Sequence, residues 1–182
     1  MAQVEKRAAN LPATFEWEYA PAPEARDVVQ IRERYGLFVG GEEVEPSTNE
    51  WFPSISPSSE EALFEVALAG EEDVAHAVDT ARAAFENGWS ELAPSERAKY
   101  LFRLARLIQE RSRELAVAES LDGGKPIRES RDVDVPLAAA HFFYYAGWAD
   151  KLEYAFPNRK PRPLGVAAQI IPWNFPLLML SW

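Results

Sequence analysis

Cysteine is absent from this 182-residue chain. That excludes disulfides and thiolate metal sites within it, and it is compatible with a cytoplasmic location, the compartment expected here. Histidine is nearly absent too. His76 and His141 stand alone on predicted helices and read as surface or partly packed side chains, so no metal site is expected. Positive charge is scarce, with 19 Lys and Arg against 29 Asp and Glu, a net charge of −10 and a pI near 4.8. Nucleic acid and anionic membrane are therefore not expected as partners. The longest basic cluster, Arg159-Lys160-Pro161-Arg162, is broken by proline and reads as a solvated loop. No apolar run reaches the roughly 18 residues of a membrane span, and the N-terminus lacks the apolar core of a secretory signal. Glycine-rich phosphate loops, Ser/His/Asp groupings, internal repeats and low-complexity tracts are missing as well.

What is present is an ordinary globular composition, 47% apolar and 26% charged, in a chain long enough for one domain. Residues 1–34 read as an extension carrying Pro12, Pro21 and Pro23 with scattered aromatics such as Phe15, Trp17 and Tyr19. Leu37-Phe38-Val39 and Glu42-Glu43-Val44, around Gly40-Gly41, predict a short hairpin. After a turn-rich stretch from Ser54 to Ser59, a strand is expected at Ala62–Ala67. Three helices follow. The first runs from about Glu71 to Asn87, with Val74, Val78, Ala81 and Phe85 on one face and Gly88 beyond its end. The second opens at Ala93-Pro94-Ser95-Glu96 and continues through Leu101, Leu104, Ile108 and Leu115 to Gly123-Gly124. The third spans Pro126 to about Leu152, with Pro136 able to split it. The carboxylate pairs Glu42-Glu43 and Glu71-Glu72 read as solvated faces and helix-start charges.

The most informative stretch is the last. Val166-Ala167-Ala168-Gln169-Ile170-Ile171 is a mostly apolar run of the kind found in a buried parallel strand. Pro172-Trp173-Asn174-Phe175 then forms a turn, and Pro176 suits the first turn of a helix through Leu177 to Leu180. Asn174 thus falls where a strand meets a helix N-terminus, the usual place for ligands in an open α/β sheet. An alternative is that Asn174 simply caps the helix. Ile170 is equally readable as plain core, whereas the Trp173 indole N–H needs a partner wherever it is buried.

The run from Gln169 to Met179 resembles the strand-turn-helix signature of the NAD(P)-dependent aldehyde dehydrogenase superfamily. Leu121-Asp122-Gly123-Gly124-Lys125-Pro126 resembles the family's glycine-lysine-proline turn. Tyr144-Tyr145-Ala146-Gly147-Trp148-Ala149-Asp150-Lys151 is similar to the end of its next helix. Glu72-Asp73-Val74 through Ala81-Arg82-Ala83-Ala84-Phe85 is similar to the helix before both. The resemblance implies an α/β fold, with residues 35–182 as the front of a Rossmann-like cofactor-binding domain, mostly helical here and truncated. It implies oxidation of a small-molecule aldehyde to a carboxylic acid with NAD or NADP, through a cysteine thiohemiacetal. Asn174 matches the family's oxyanion-stabilising asparagine, and Ile170, Ile171, Pro172 and Trp173 match the wall of the dinucleotide site.

Two departures stand out. The family's nucleophilic cysteine, its water-activating glutamate and the rest of its cofactor site lie downstream of these segments, so the chain is expected to be an N-terminal fragment, inactive alone. The stretch between Lys151 and Pro163 is shorter than usual, where the family places part of its oligomerisation hairpin. With the N-terminal extension this resembles a divergent subgroup, and a homo-oligomer is an expectation for the complete protein only. The alternative function is a non-catalytic interaction or split-enzyme subunit that pairs with another dehydrogenase chain.

Overall fold

The computed structural model describes residues 23–182. Most of the extension expected over residues 1–34, including Phe15, Trp17 and Tyr19, lies outside the described residues. A single 3-10 turn at Arg26–Val28 precedes the first strand.

Five short strands make two small sheets. β1 (Arg34–Tyr35), β5 (Ala62–Ala67) and β4 (Trp51–Ile55) form one in the order β1-β5-β4, with β1 parallel and β4 antiparallel to β5. β2 (Leu37–Val39) and β3 (Glu42–Val44) form the expected hairpin, with Leu37 opposite Val44 and Val39 opposite Glu42. Gly40 and Gly41 both have positive φ, 64° and 90°, the sense of turn that follows the natural twist of two strands. β4 overlaps the stretch expected to be turn. Its Pro53 faces Glu65 on an edge strand, where the missing N–H leaves no ladder bond broken. The turn proper is tighter: the Glu60 N–H donates to the Ser56 carbonyl at 2.8 Å, and the Ser56 N–H to the Glu61 carbonyl at 2.9 Å.

α1 (Glu71–Ala84) is capped by Asp73, whose carboxylate accepts from the Gly70 N–H at 2.8 Å and the Ser47 N–H at 2.9 Å. It runs on through a π turn at Phe85–Trp89, where Gly88 takes φ of 137°. Its expected apolar face is not covered: Val74 and Val78 are both exposed. The long second helix is really two, α2 (Pro94–Glu110) and α3 (Ser112–Gly123), broken at Arg111. The third runs unbroken from Ile127 to Trp148 but carries a π turn. α4 (Ile127–Glu129) leads through a π turn at Ser130–Asp134 into α5 (Val135–Trp148), followed by α6 (Leu152–Ala155). Pro136 lies two residues past the last residue of that π turn, and the backbone stays helical on either side of the junction.

The core lies among α2, α3, α5 and the last helix, α7 (Pro176–Ser181). Ile108, Ala116, Val135 and Ala139 are buried together, with Leu115, Ile127, Phe142 and Leu177 packed against them. Ala105 and Ala138 are fully buried, and such small side chains let α2 and α5 approach closely.

The expected buried strand Val166–Ile171 does not form. The segment is irregular, and Ile170 is fully exposed. A strand is completed by partners for its backbone N–H and C=O groups, and among the described residues no strand lies beside this one. An apolar run sets a preference; pairing decides the conformation.

Candidate functional site

The Trp173–Phe175 turn joins that irregular segment to α7, and α7 anchors it. Leu178 and Ser181 are buried, and the Ser181 hydroxyl donates to the Leu178 carbonyl at 2.6 Å. The Gln169 side-chain amide reaches the Leu180 carbonyl at 3.3 Å, and the Trp182 ring meets His141 of α5 with centroids 5.6 Å apart. The cap position of α7 is Phe175, with no side-chain cap bond. Asn174 is thus not the cap, and its exposed amide is not spent on that bond.

The turn is held on its other flank by Lys125, whose Nζ lies 3.7 Å from the centre of the Phe175 ring. This ammonium is fixed by geometry further back. Gly124 ends α3 with φ of 69°, and a Cβ there would come within 2.8 Å of Pro57 Cβ, so glycine is required both by conformation and by space. The chain then turns Lys125 inward between two carboxylates. Its Nζ bonds to Asp134 Oδ2 in the π turn and lies 3.6 Å from Glu119 Oε1 on α3. The three side chains are 14%, 1% and 5% exposed respectively. Asp134 Oδ1 and both Glu119 oxygens have no hydrogen-bond partner. Burial, reinforced by the neighbouring Asp134 carboxyl and opposed by Lys125, pushes the Glu119 carboxyl up to about 7.

Glu119, Gly123, Gly124, Lys125, Trp173, Asn174 and Pro176 enclose a cleft of about 270 Å³. Of the residues singled out in the sequence, Asn174 and Trp173 meet here. Ile170, Ile171 and Pro172 lie on the exposed segment outside its lining, and the Trp173 indole is 83% exposed rather than buried. A larger cleft, about 530 Å³ and lined by Phe85, Trp89, Arg97, Leu152 and Arg162 among others, contains none of them. The charged cluster behind the turn escaped sequence reasoning. The available signal was charge in apolar surroundings: Glu119 follows Leu115-Ala116-Val117-Ala118, and Asp134 sits between Val133 and Val135. Among the described residues no group of three or more His, Cys, Asp or Glu side chains could hold a metal, and no helix is long and apolar enough to cross a membrane.

The sequence profile of the aldehyde dehydrogenase family matches residues 44–182. The chain belongs to that family. It is 41% identical over 155 residues to the mitochondrial aldehyde dehydrogenase family 2 member B4 of Arabidopsis thaliana, a match covering 80% of this chain and 29% of that protein. It is also 41% identical over 163 residues to acetaldehyde dehydrogenase 2 of Cupriavidus necator, covering 83% of this chain and 31% of the relative. Among solved structures, a variant of the P. syringae indole-3-acetaldehyde dehydrogenase AldA in complex with NAD+ and IAA superposes with a TM-score of 0.78. Identity there is 38%, over 86% of this chain and 33% of that one. The chain thus spans about a third of the length of the relatives it matches, and its small sheets and helices are the corresponding part of the aldehyde dehydrogenase fold.

Proposed function

We propose that this chain supplies the N-terminal segment of an enzyme that oxidises an aldehyde to a carboxylic acid with NAD or NADP, and that Asn174 is its oxyanion donor. Residues 35–182 would be the front of the cofactor-binding domain. The observation that carries the reading is the Asn174 amide itself, exposed at the edge of a cleft and unused as a helix cap. An amide N–H donates at every working pH, which suits it to stabilise the negative charge that develops when a carbonyl is attacked. The attacking thiol is not among these 182 residues, since none is cysteine; the chain alone should not turn over aldehyde.

The residues present fit one part of a dinucleotide. Ile170, Ile171, Pro172 and Trp173 offer an exposed, mostly apolar surface suited to the flat face of a ring. The described residues contain no glycine-rich strand-to-helix turn for the phosphates, so holding those falls to other parts of the protein. A nicotinamide bound against this wall would supply the hydride acceptor. Asn174 and Trp173 therefore take different roles, one as donor to the reacting oxygen and the other as surface that excludes water.

The test is made in the thiol-bearing enzyme that contains this segment. Asn174→Ala should lower kcat by about 10²–10³ with cofactor affinity little changed, whereas Trp173→Ala should weaken cofactor binding first. Steady-state kinetics and cofactor titration by fluorescence separate the two. Near-normal turnover in Asn174→Ala, with the thiol shown to react, would refute the assignment. A second reading, a non-catalytic subunit pairing with another dehydrogenase chain, draws on the exposed apolar residues Leu164, Ile170, Trp173 and Trp182. It predicts that Asn174→Ala leaves the activity of the paired chain unaltered.

A further inference from the structure

Lys125 occupies a place that plain structural economy does not explain. A half-buried ammonium needs a counter-charge, and Asp134 alone supplies one. Here there are two carboxylates, leaving three carboxylate oxygens without a hydrogen-bond partner, and that arrangement is expensive in a buried pocket. The ammonium that these carboxylates hold also lies over the face of Phe175, 3.7 Å from the ring centre, a distance at which a cation is attracted by the ring's electron density. Phe175 is the residue next to Asn174. On the far side of the turn α7 is anchored by Leu177, Leu178 and the Gln169–Leu180 bond, all of which lie at or beyond the helix or before the turn. Lys125 is the only cation among the residues lining the cleft. Gly124 sets the turn that leads into Lys125, and the Ser120–Ser130 hydrogen bond at 3.0 Å ties α3 to the π turn that carries Asp134.

We propose that Lys125 is a positioning residue for Asn174: clamped by Asp134 and Glu119, its ammonium fixes the Phe175 ring and, through it, the direction of the neighbouring amide. The proposal rests on the reading of Asn174 as oxyanion donor. Without the cation the ring and turn are free to rock, and a misplacement of about 1 Å in a catalytic donor can cost about 10²-fold in rate.

The experiment compares Lys125→Met, Lys125→Arg, Asn174→Ala and the double variant Lys125→Met/Asn174→Ala in the thiol-bearing enzyme. Lys125→Met should lower kcat by about 10–100-fold with the KM values little changed. Lys125→Arg, which keeps a cation over the ring, should recover most of that loss. In the Asn174→Ala background the same Lys125→Met change should have less than about a twofold effect, since the group it positions is gone. Because removing Lys125 strands two buried carboxylates, the comparison is repeated with Lys125→Met combined with Glu119→Gln and Asp134→Asn, which leaves the pocket neutral. Equal losses in both backgrounds would mean that Lys125 acts by general stability, and full activity in Lys125→Met beside a crippled Asn174→Ala would mean that it does not act at all; either overturns the proposal. Near-normal Asn174→Ala would overturn the underlying reading instead.

Discussion

Glu119 gives the sharpest physical prediction, because its carboxyl is held at about 7 in the folded chain against an ordinary value of 4.5. The sign follows from which state holds the proton more tightly. Below about pH 4.5 both folded and unfolded chains carry it, and the site adds no pH dependence. Between 4.5 and 7 the unfolded chain loses its proton while the folded chain keeps it, so stability falls as pH rises. Above 7 both are ionised, and the penalty is constant. A shift of this size corresponds to about 3 kcal/mol, with Lys125 and Asp134 as the charged groups that face the carboxyl. Glu119→Gln removes the titration and keeps the shape. The measurement is urea unfolding of both proteins, followed by circular dichroism at micromolar concentration from pH 4.5 to 8. Carboxylates held below their usual range, such as Asp73, Glu114 and Asp132, weaken both proteins alike toward acid and cancel in the difference. The stability of the variant relative to the parent should therefore climb by about 3 kcal/mol across this window and then level off. A flat difference, or one that grows toward acid pH, would refute the account of a buried, proton-retaining Glu119.

Two adjacent glycines should behave in opposite ways. Gly124→Ala forces a side chain into positive φ and onto Pro57 and should destabilise by about 1–3 kcal/mol, while Gly123→Ala, whose Cβ meets nothing, should be neutral or mildly stabilising in the same urea titration. Exposed Leu164, Ile170, Trp173 and Trp182 should make the 182-residue chain associate as its concentration rises and bind an apolar dye; a monodisperse, dye-silent monomer at high concentration would contradict this.

What was legible in the sequence was whatever a few neighbouring residues decide. Gly40-Gly41 between two short strand-like segments specified the β2–β3 hairpin, and Ala62–Ala67 specified β5, each at the place found. Pro53 and the serines around it hid β4, because a strand at a sheet edge tolerates proline and takes its identity from β5 beside it. The break at Arg111 was illegible for a related reason. Glu110-Arg111-Ser112 contains no helix breaker, and only the packing of α2 on α5 and of α3 beneath the π turn makes two directions better than one. The apolar stripe of α1 was read correctly as a stripe, but nothing among the described residues covers Val74 or Val78.

The candidate site divides along the same line. Asn174 and Trp173 belong to one contiguous motif, so a linear reading finds them. Glu119, Lys125 and Asp134 are spread over α3, a loop and a π turn, and each is by type a surface residue; their meeting is a property of the fold alone. The extended segment makes the converse point. Val166–Ile171 has the composition of a buried strand, yet it is irregular, since composition supplies the apolar face and only a neighbouring strand can supply the hydrogen bonds. The Phe175 turn does not share that dependence, because α7 fixes it through Leu177 and Lys125 fixes it through the ring. The proposed donor at Asn174 is therefore flanked on the helical side of the fold by packed residues, while the proposed wall beside it has no strand next to it among the described residues. On the proposed roles, oxyanion geometry should respond to changes in the charge cluster around Lys125, and cofactor binding to changes in the exposed residues Ile170 to Trp173.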